Sequence, residues 1–201
     1  MTIQISDETK DLMKSGKTYL EKNDLLGFYN CVLENLVDPN ETSEQQVISE
    51  ITWILDDCGI NLWDAVASQG AIPLCFCISN TIPDEFMDND CLHFPDTVHH
   101  IGSRAFYDSG NFKELDLRHI DFIEEEAFAY TNVEKIILDD TSIEYFLQRT
   151  NKHHIEDILH MTALNTIMIP KKYEADEDTG VKLLRQFEEV DSGSDIEIGY
   201  Y

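Results

Sequence analysis

The chain has 201 residues, 42% of them hydrophobic, which suits one domain with a substantial core or a repeat array with a separate cap. Forty acidic residues against fourteen basic ones give a net charge of −26, and this disfavours direct contact with nucleic acid, because phosphate binding relies on lysine and arginine. It favours a partner with a basic surface or imitation of a polyanion, beside the plainer reading that an acidic surface keeps a protein soluble.

No run of eighteen apolar residues is present, so no membrane-spanning helix is expected. The opening MTIQISDETKDLMKSGK mixes both charge signs and lacks an apolar core segment, which predicts a cytoplasmic protein. The five cysteines, Cys31, Cys58, Cys75, Cys77 and Cys91, have no framework spacing and are expected to be reduced. Cys75, Cys77 and Cys91 are badly spaced for a zinc corner; alternation on a buried strand explains them more simply.

In chain order, Leu12, Met13, Tyr19 and Leu20 predict a first helix from Asp7 to Asn23, with acids in its first turn. Leu25, Phe28, Tyr29, Val32, Leu33 and Leu36 form the apolar stripe of a second, ended by Asp38-Pro39-Asn40. A third is expected from Ser43, where Ser43 and Gln46 suit a capping box, to Gly59. A short fourth runs from Asn61 to Ser68, with Trp63 and Val66 on one face. Residues 1–71 are thus expected to be a helical N-terminal cap.

From Ile72 the period changes, and over residues 72–170 the chain repeats itself. Ile101-Gly102-Ser103-Arg104-Ala105-Phe106 returns twenty-two residues later as Ile123-Glu124-Glu125-Glu126-Ala127-Phe128, and Ile82 to Phe86 reads as a worn earlier copy. Between the copies stand short alternations: Leu92/Phe94, Leu115/Leu117, Ile136/Leu138 and Ile167/Ile169. One such unit per period in the low twenties predicts a stack in which every repeat supplies one short strand. Side chains alternate across a strand, so the two apolar residues of each unit point inward. The last interval is longer, and Ile155, Ile158 and Leu159 predict that a helix fills it near 151–162.

The string Val98-x-x-Ile101-Gly102-x-x-Ala105-Phe106, followed by Leu115, resembles the BspA-type leucine-rich repeat, over about residues 82–170. The resemblance implies an α/β fold, a short leucine-rich-repeat (BspA-like) solenoid with an α-helical N-terminal cap. It also implies protein binding without a shared enzymatic activity. A helical leader joined to such repeats is similar to small tailed-phage proteins. Glu124 departs from the pattern, because the first copy has Gly102 there.

The tail, residues 171–201, reads as an acidic cap. YEADEDTG is expected to be a loop, and Val181 to Val190 a helix with Leu183, Leu184 and Phe187 on its apolar face. The ending DSGSDIEIGYY is polar, although Ile196, Ile198, Tyr200 and Tyr201 alternate enough to add a strand or to bind in trans.

No phosphate-binding loop, nucleophile elbow, HExxH or EF-hand is present, so no catalytic, cofactor or metal residue is assigned and no enzyme is expected. His153, Asp157 and His160 share a helical face suited to a metal, but an ordinary solvated face explains them equally well. The stronger candidate is a surface. Strands stacked in register would place His93, Asp116, Ile137 and Met168 in one outward row, with Glu114 and Lys135 on one flank and Arg118 and Asp139 on the other. Exposed Ile137 and Met168 rimmed by charge would then mark a protein-binding site. The expectation is an acidic phage module that binds and inhibits or redirects a host protein of defence or nucleic-acid processing, in the host cytoplasm. Alternatives are a polyanion mimic in a nucleic-acid-binding groove, or an assembly protein forming a homo-oligomer.

Overall fold

The computed structural model describes residues 7–36, 54–55, 57–74, 76–77, 82–148, 158–160, 163–187 and 196–201. Helices α1 (Asp7–Glu21) and α2 (Leu25–Leu36) pack together, although Tyr19 of the stripe expected on α1 is exposed. Asn23 makes the left-handed turn between them at φ 56, and the Asp24 carboxylate caps α2 by accepting from Gly27 N–H at 2.8 Å. Leu25, Phe28, Tyr29 and Val32 are buried. Of the third predicted helix, Ser43 and Gln46 lie outside the described residues, while Ile54 and Leu55 are buried. Helix α3 (Leu62–Gln69) begins at Asn61, whose side chain accepts from Asp64 N–H, and ends at Gly70, left-handed at φ 68. No helix among the described residues is long and apolar enough to cross a membrane.

The strands form two sheets. In the smaller, β1 (Ala71–Ile72), β4 (His100–Ile101) and β6 (Phe122–Ile123) run parallel, with Ile72, Ile101 and Ile123 in register. In the larger, β2 (Met87–Asp88) is antiparallel to β3 (Cys91–Leu92), and β5 (Glu114–Asp116), β7 (Lys135–Ile137), β8 (Thr166–Ile169) and β9 (Glu197–Tyr200) follow in parallel. Leu92, Leu115, Ile136, Ile167 and Ile198 occupy one register column. All but Ile198 are fully buried.

A third ladder joins the repeats away from the sheets. Phe106 N–H donates to Ala127 O at 2.8 Å, and Phe128 N–H to Ile158 O at 3.0 Å. The Phe106 and Phe128 rings stack at 5.4 Å with planes 5° apart, and Ala105 and Ala127 leave room for this close approach. The residues that repeat in sequence are therefore the core, and the described fold is α/β.

The two copies differ at Gly102 and Glu124 for a steric reason. A Cβ at Gly102 would lie 2.7 Å from Leu74 N and 2.9 Å from Ile72 O, because the preceding backbone passes over it. One layer on, Glu124 folds back instead, accepting from Ser103 N–H at 2.9 Å and pairing with His100 Nε2 at 2.8 Å.

Two expectations need correction. The segment in register with Ile101 is Ile72, not Ile82; Asp84–Phe86 is a 3-10 turn that leads into β2, with Phe86 buried beneath Trp63. The long repeat also carries a helix that the spacing did not single out, α4 (Asp140–Gln148); of the helix expected near 151–162, residues 151–157, 161 and 162 lie outside the described chain, while Ile158 and Leu159 are buried. Asp139 and Ser142 start α4 with a reciprocal cap: Ser142 N–H donates to Asp139 Oδ1 at 3.1 Å, and Asp139 N–H to Ser142 Oγ at 2.9 Å. Finally, YEADEDTG is not a loop, since the 3-10 turn Lys171–Ala175 runs into α5 (Glu177–Phe187). The predicted apolar face of α5 is present: Leu183 and Phe187 are buried, Leu184 is half-buried, and Phe187 packs on Phe146 of α4. The chain ending does add a strand, β9.

Candidate protein-binding surface

The larger sheet has one face turned inward by its leucine and isoleucine column, so the residues between those positions form the other face. Three rows cross it. The first holds Cys91, Glu114, Lys135, Thr166 and Glu197, and the second Asp116, Ile137, Met168 and Gly199 with His93 level with Asp116 just past β3. Arg118 and Asp139 follow beyond the strand ends. The register expected from the alternation is thus present where the strands pair, from Glu114 to Lys135 and Thr166 and from Asp116 to Ile137 and Met168.

The charged groups of these rows are already engaged with each other. Lys135 Nζ lies 2.5 Å from Glu114 Oε1 across the β5–β7 pair. Asp116 is only 9% exposed, and the Arg118 guanidinium grips it with Nε at 2.9 and 3.0 Å from the two carboxylate oxygens and Nη2 at 2.5 Å. Arg118 N–H adds a fourth bond to Asp116 Oδ1 at 3.1 Å, and this carboxylate raises the Arg118 pKa above its ordinary value, fixing the cation. Asp139 has a structural duty: besides capping α4 it accepts from His119 N–H at 3.0 Å and lies 3.0 Å from His119 Nδ1.

Ile137 and Met168 are half-buried rather than fully exposed. Met168 lies across Gly199 of β9, where a Cβ would collide with its sulfur. Beside them, Tyr201 reaches back from the end of β9 to donate its hydroxyl to Leu138 O at 2.9 Å. Part of the face that seemed open from the repeats alone is therefore covered by the chain's own last strand.

At the opposite end of the sheet lies a groove of about 520 Å³. Its lining combines His93, Asp116 and Arg118 from the predicted rows with Trp63 of α3 and with Asp96 and His119 from loops. Trp63 packs on Phe86 at 5.1 Å and on the His93 ring at 5.3 Å between centroids. Cys91 also lines the groove; burial first, then the carboxylates of Asp116 and Glu114, push its thiol up to about 11, so it is protonated and unreactive near neutrality. Trp63, Asp96 and His119 were not legible as site residues. The spacing of Trp63 and Val66 showed only that one face of α3 is apolar, and the buried Val66 confirms which residue anchors it.

Among the described residues, no group of three His, Cys, Asp or Glu side chains is placed to hold a metal ion. Cys75, His153 and Asp157 lie outside those residues. Cys58, Cys77 and Cys91 are free thiols.

Comparison with curated proteins and with solved structures gives no match. Residues 88–174 match the family model of the BspA type leucine-rich repeat region, in six copies. The face described above, apart from β9 and the Trp63 wall, lies within the residues that match this family model.

Proposed function

We propose that the chain is a non-catalytic interaction module that binds a protein with a basic surface through the outward face of its larger sheet. Residues 72–170 form the repeat solenoid, with residues 1–71 as a helical cap over its first turn and 171–201 as an acidic cap over its last. The observation that carries this reading is the central row: half-buried Ile137 and Met168 stand in register between rows whose charges are pinned in fixed pairs. Apolar anchors inside a rigid polar frame supply affinity, and the net charge of −26 speeds encounter with a basic target. The likeness of the helical leader to tailed-phage proteins makes a host protein the partner, bound in the host cytoplasm so as to block or redirect it.

A polyanion mimic is less well supported, because Glu114, Asp116 and Asp139 are occupied by Lys135, Arg118 and His119 and do not present a free array of carboxylates. Co-purification from host lysate tests the main reading, with wild type compared against the Ile137→Asp/Met168→Asp double variant. Thermal melting of both proteins establishes that the variant is folded. Loss of a specific partner by the folded variant is expected; equal recovery would remove the sheet face from the interaction. A stable multimer at low concentration, dissociated by the same substitutions, would make a second copy of the chain the occupant.

A further inference from the structure

We propose that the groove under Trp63 receives a single basic side chain, arginine or lysine, from the partner. This rests on the interaction-module reading above and names the chemistry of one contact within it.

The groove has the size of a small-ligand site and is open to solvent on one side, so it suits an inserted side chain better than an enclosed molecule. Its lining is mixed in a particular way. The Trp63 indole, Phe94 and Pro95 offer apolar and aromatic surface, while Asp88 and Asp96 bring carboxylates that are exposed. An aliphatic stem on aromatic surface with a cationic head at a carboxylate is how lysine and arginine are held.

The charges already present do not oppose this occupant. Arg118 is the groove's fixed cation, and its guanidinium is taken up by Asp116 in a two-pronged pair. Asp88 and Asp96 are committed much more weakly: Asp88 accepts from the neighbouring Asn89 side chain at 3.0 Å, and Asp96, 95% exposed, has His119 Nε2 at 4.0 Å. An anionic ligand would have to compete with Asp116 for Arg118 while passing these two carboxylates and the field of a chain carrying −26. Complementarity of charge therefore selects a cation.

The test uses the full chain labelled with nitrogen-15 and titrated with N-acetyl-arginine amide and N-acetyl-lysine amide. N-acetyl-citrulline amide, which keeps the shape of arginine without its charge, and N-acetyl-glutamate amide are the controls. The basic amides are expected to shift the Trp63 indole signal and the amides of residues 93–97, with citrulline at least about five-fold weaker, the factor that one lost charge contact of about 1 kcal/mol gives. Asp88→Asn/Asp96→Asn should weaken the basic amides by a similar factor without altering the rest of the spectrum, and Trp63→Leu should abolish the shifts at residues 93–97. Equal binding of citrulline and arginine amides, preference for the glutamate amide, or indifference to Asp88→Asn/Asp96→Asn would overturn the assignment. Failure here stays distinct from failure of the sheet face. A partner kept by Asp88→Asn/Asp96→Asn but lost by Ile137→Asp/Met168→Asp refutes the groove alone, and the converse pattern refutes the face alone.

Discussion

The hydroxyl of Tyr145 takes the place of a strand for Ile123: it donates to Ile123 O at 3.0 Å and accepts from Ile123 N–H at 3.1 Å. Both residues are buried. Among the described residues the smaller sheet ends at β6, and there one phenol of α4 pairs with both backbone groups of Ile123. Tyr145→Phe should keep the fold but strand a buried N–H and C=O, lowering stability by about 1–3 kcal/mol. Urea unfolding with an unchanged slope measures it; a loss below a few tenths of a kcal/mol would show that water takes over the site.

Gly102 and Glu124 occupy equivalent places in consecutive repeats and should respond unequally to alanine. At Gly102 the new Cβ meets rigid backbone, so Gly102→Ala should cost about 1–3 kcal/mol, as overpacking does. Glu124→Ala meets no obstacle and loses only half-exposed hydrogen bonds to Ser103 and His100, so its cost should stay near or below about 1 kcal/mol. A larger loss for Glu124→Ala than for Gly102→Ala would contradict the steric account.

Cys91 should be slow to alkylate. With its thiol raised from 9.0 to about 11, the thiolate fraction at pH 8 is about 100-fold below that of an ordinary cysteine. Iodoacetamide labelling, read by peptide mass, should show that deficit at Cys91 and a rate that climbs up to pH 11. Labelling at the rate of a free thiol would mean that Cys91 is open to solvent.

Asp140 links α4 to the turn after β8, pairing with Lys172 and accepting from Tyr173 Oη at 3.1 Å. The Lys172 contact, and then the Tyr173 hydroxyl, hold its carboxyl below the ordinary 3.8. A depressed carboxyl stabilises the fold above its unfolded value and loses that contribution as pH falls through the folded one. Between pH 5 and pH 2 the wild-type melting temperature should therefore fall more than that of Asp140→Asn. Parallel curves would show that the pair contributes nothing in solution.

The repeat period, the inward ladder and the register of the outward rows were legible because strands alternate and stack, so spacing alone places Leu115 over Ile136 and Asp116 beside Ile137. Partnerships set by chain direction were not. Ile82 mimics the repeat unit in sequence, yet Gly70 turns the chain into β1 so that Ile72 pairs first. The start of α4 was written in Asp139 and Ser142, a capping pair hidden by reading Asp139 as a surface residue. The groove was invisible, because it needs Trp63 of a helix and Asp116 of a strand fifty-three positions later to meet.

Hydroxyl-radical footprinting of the captured complex tests the sheet-face interface most directly, since Met168 and Trp63 are among the most readily oxidised side chains and stand at opposite ends of the proposed contact. Bound partner should protect Met168 and Trp63 together while leaving exposed Tyr19 of α1 as reactive as in the free chain. Unchanged oxidation of Met168 with protection of Tyr19 and Leu26 would place the interface on the helices and contradict the account.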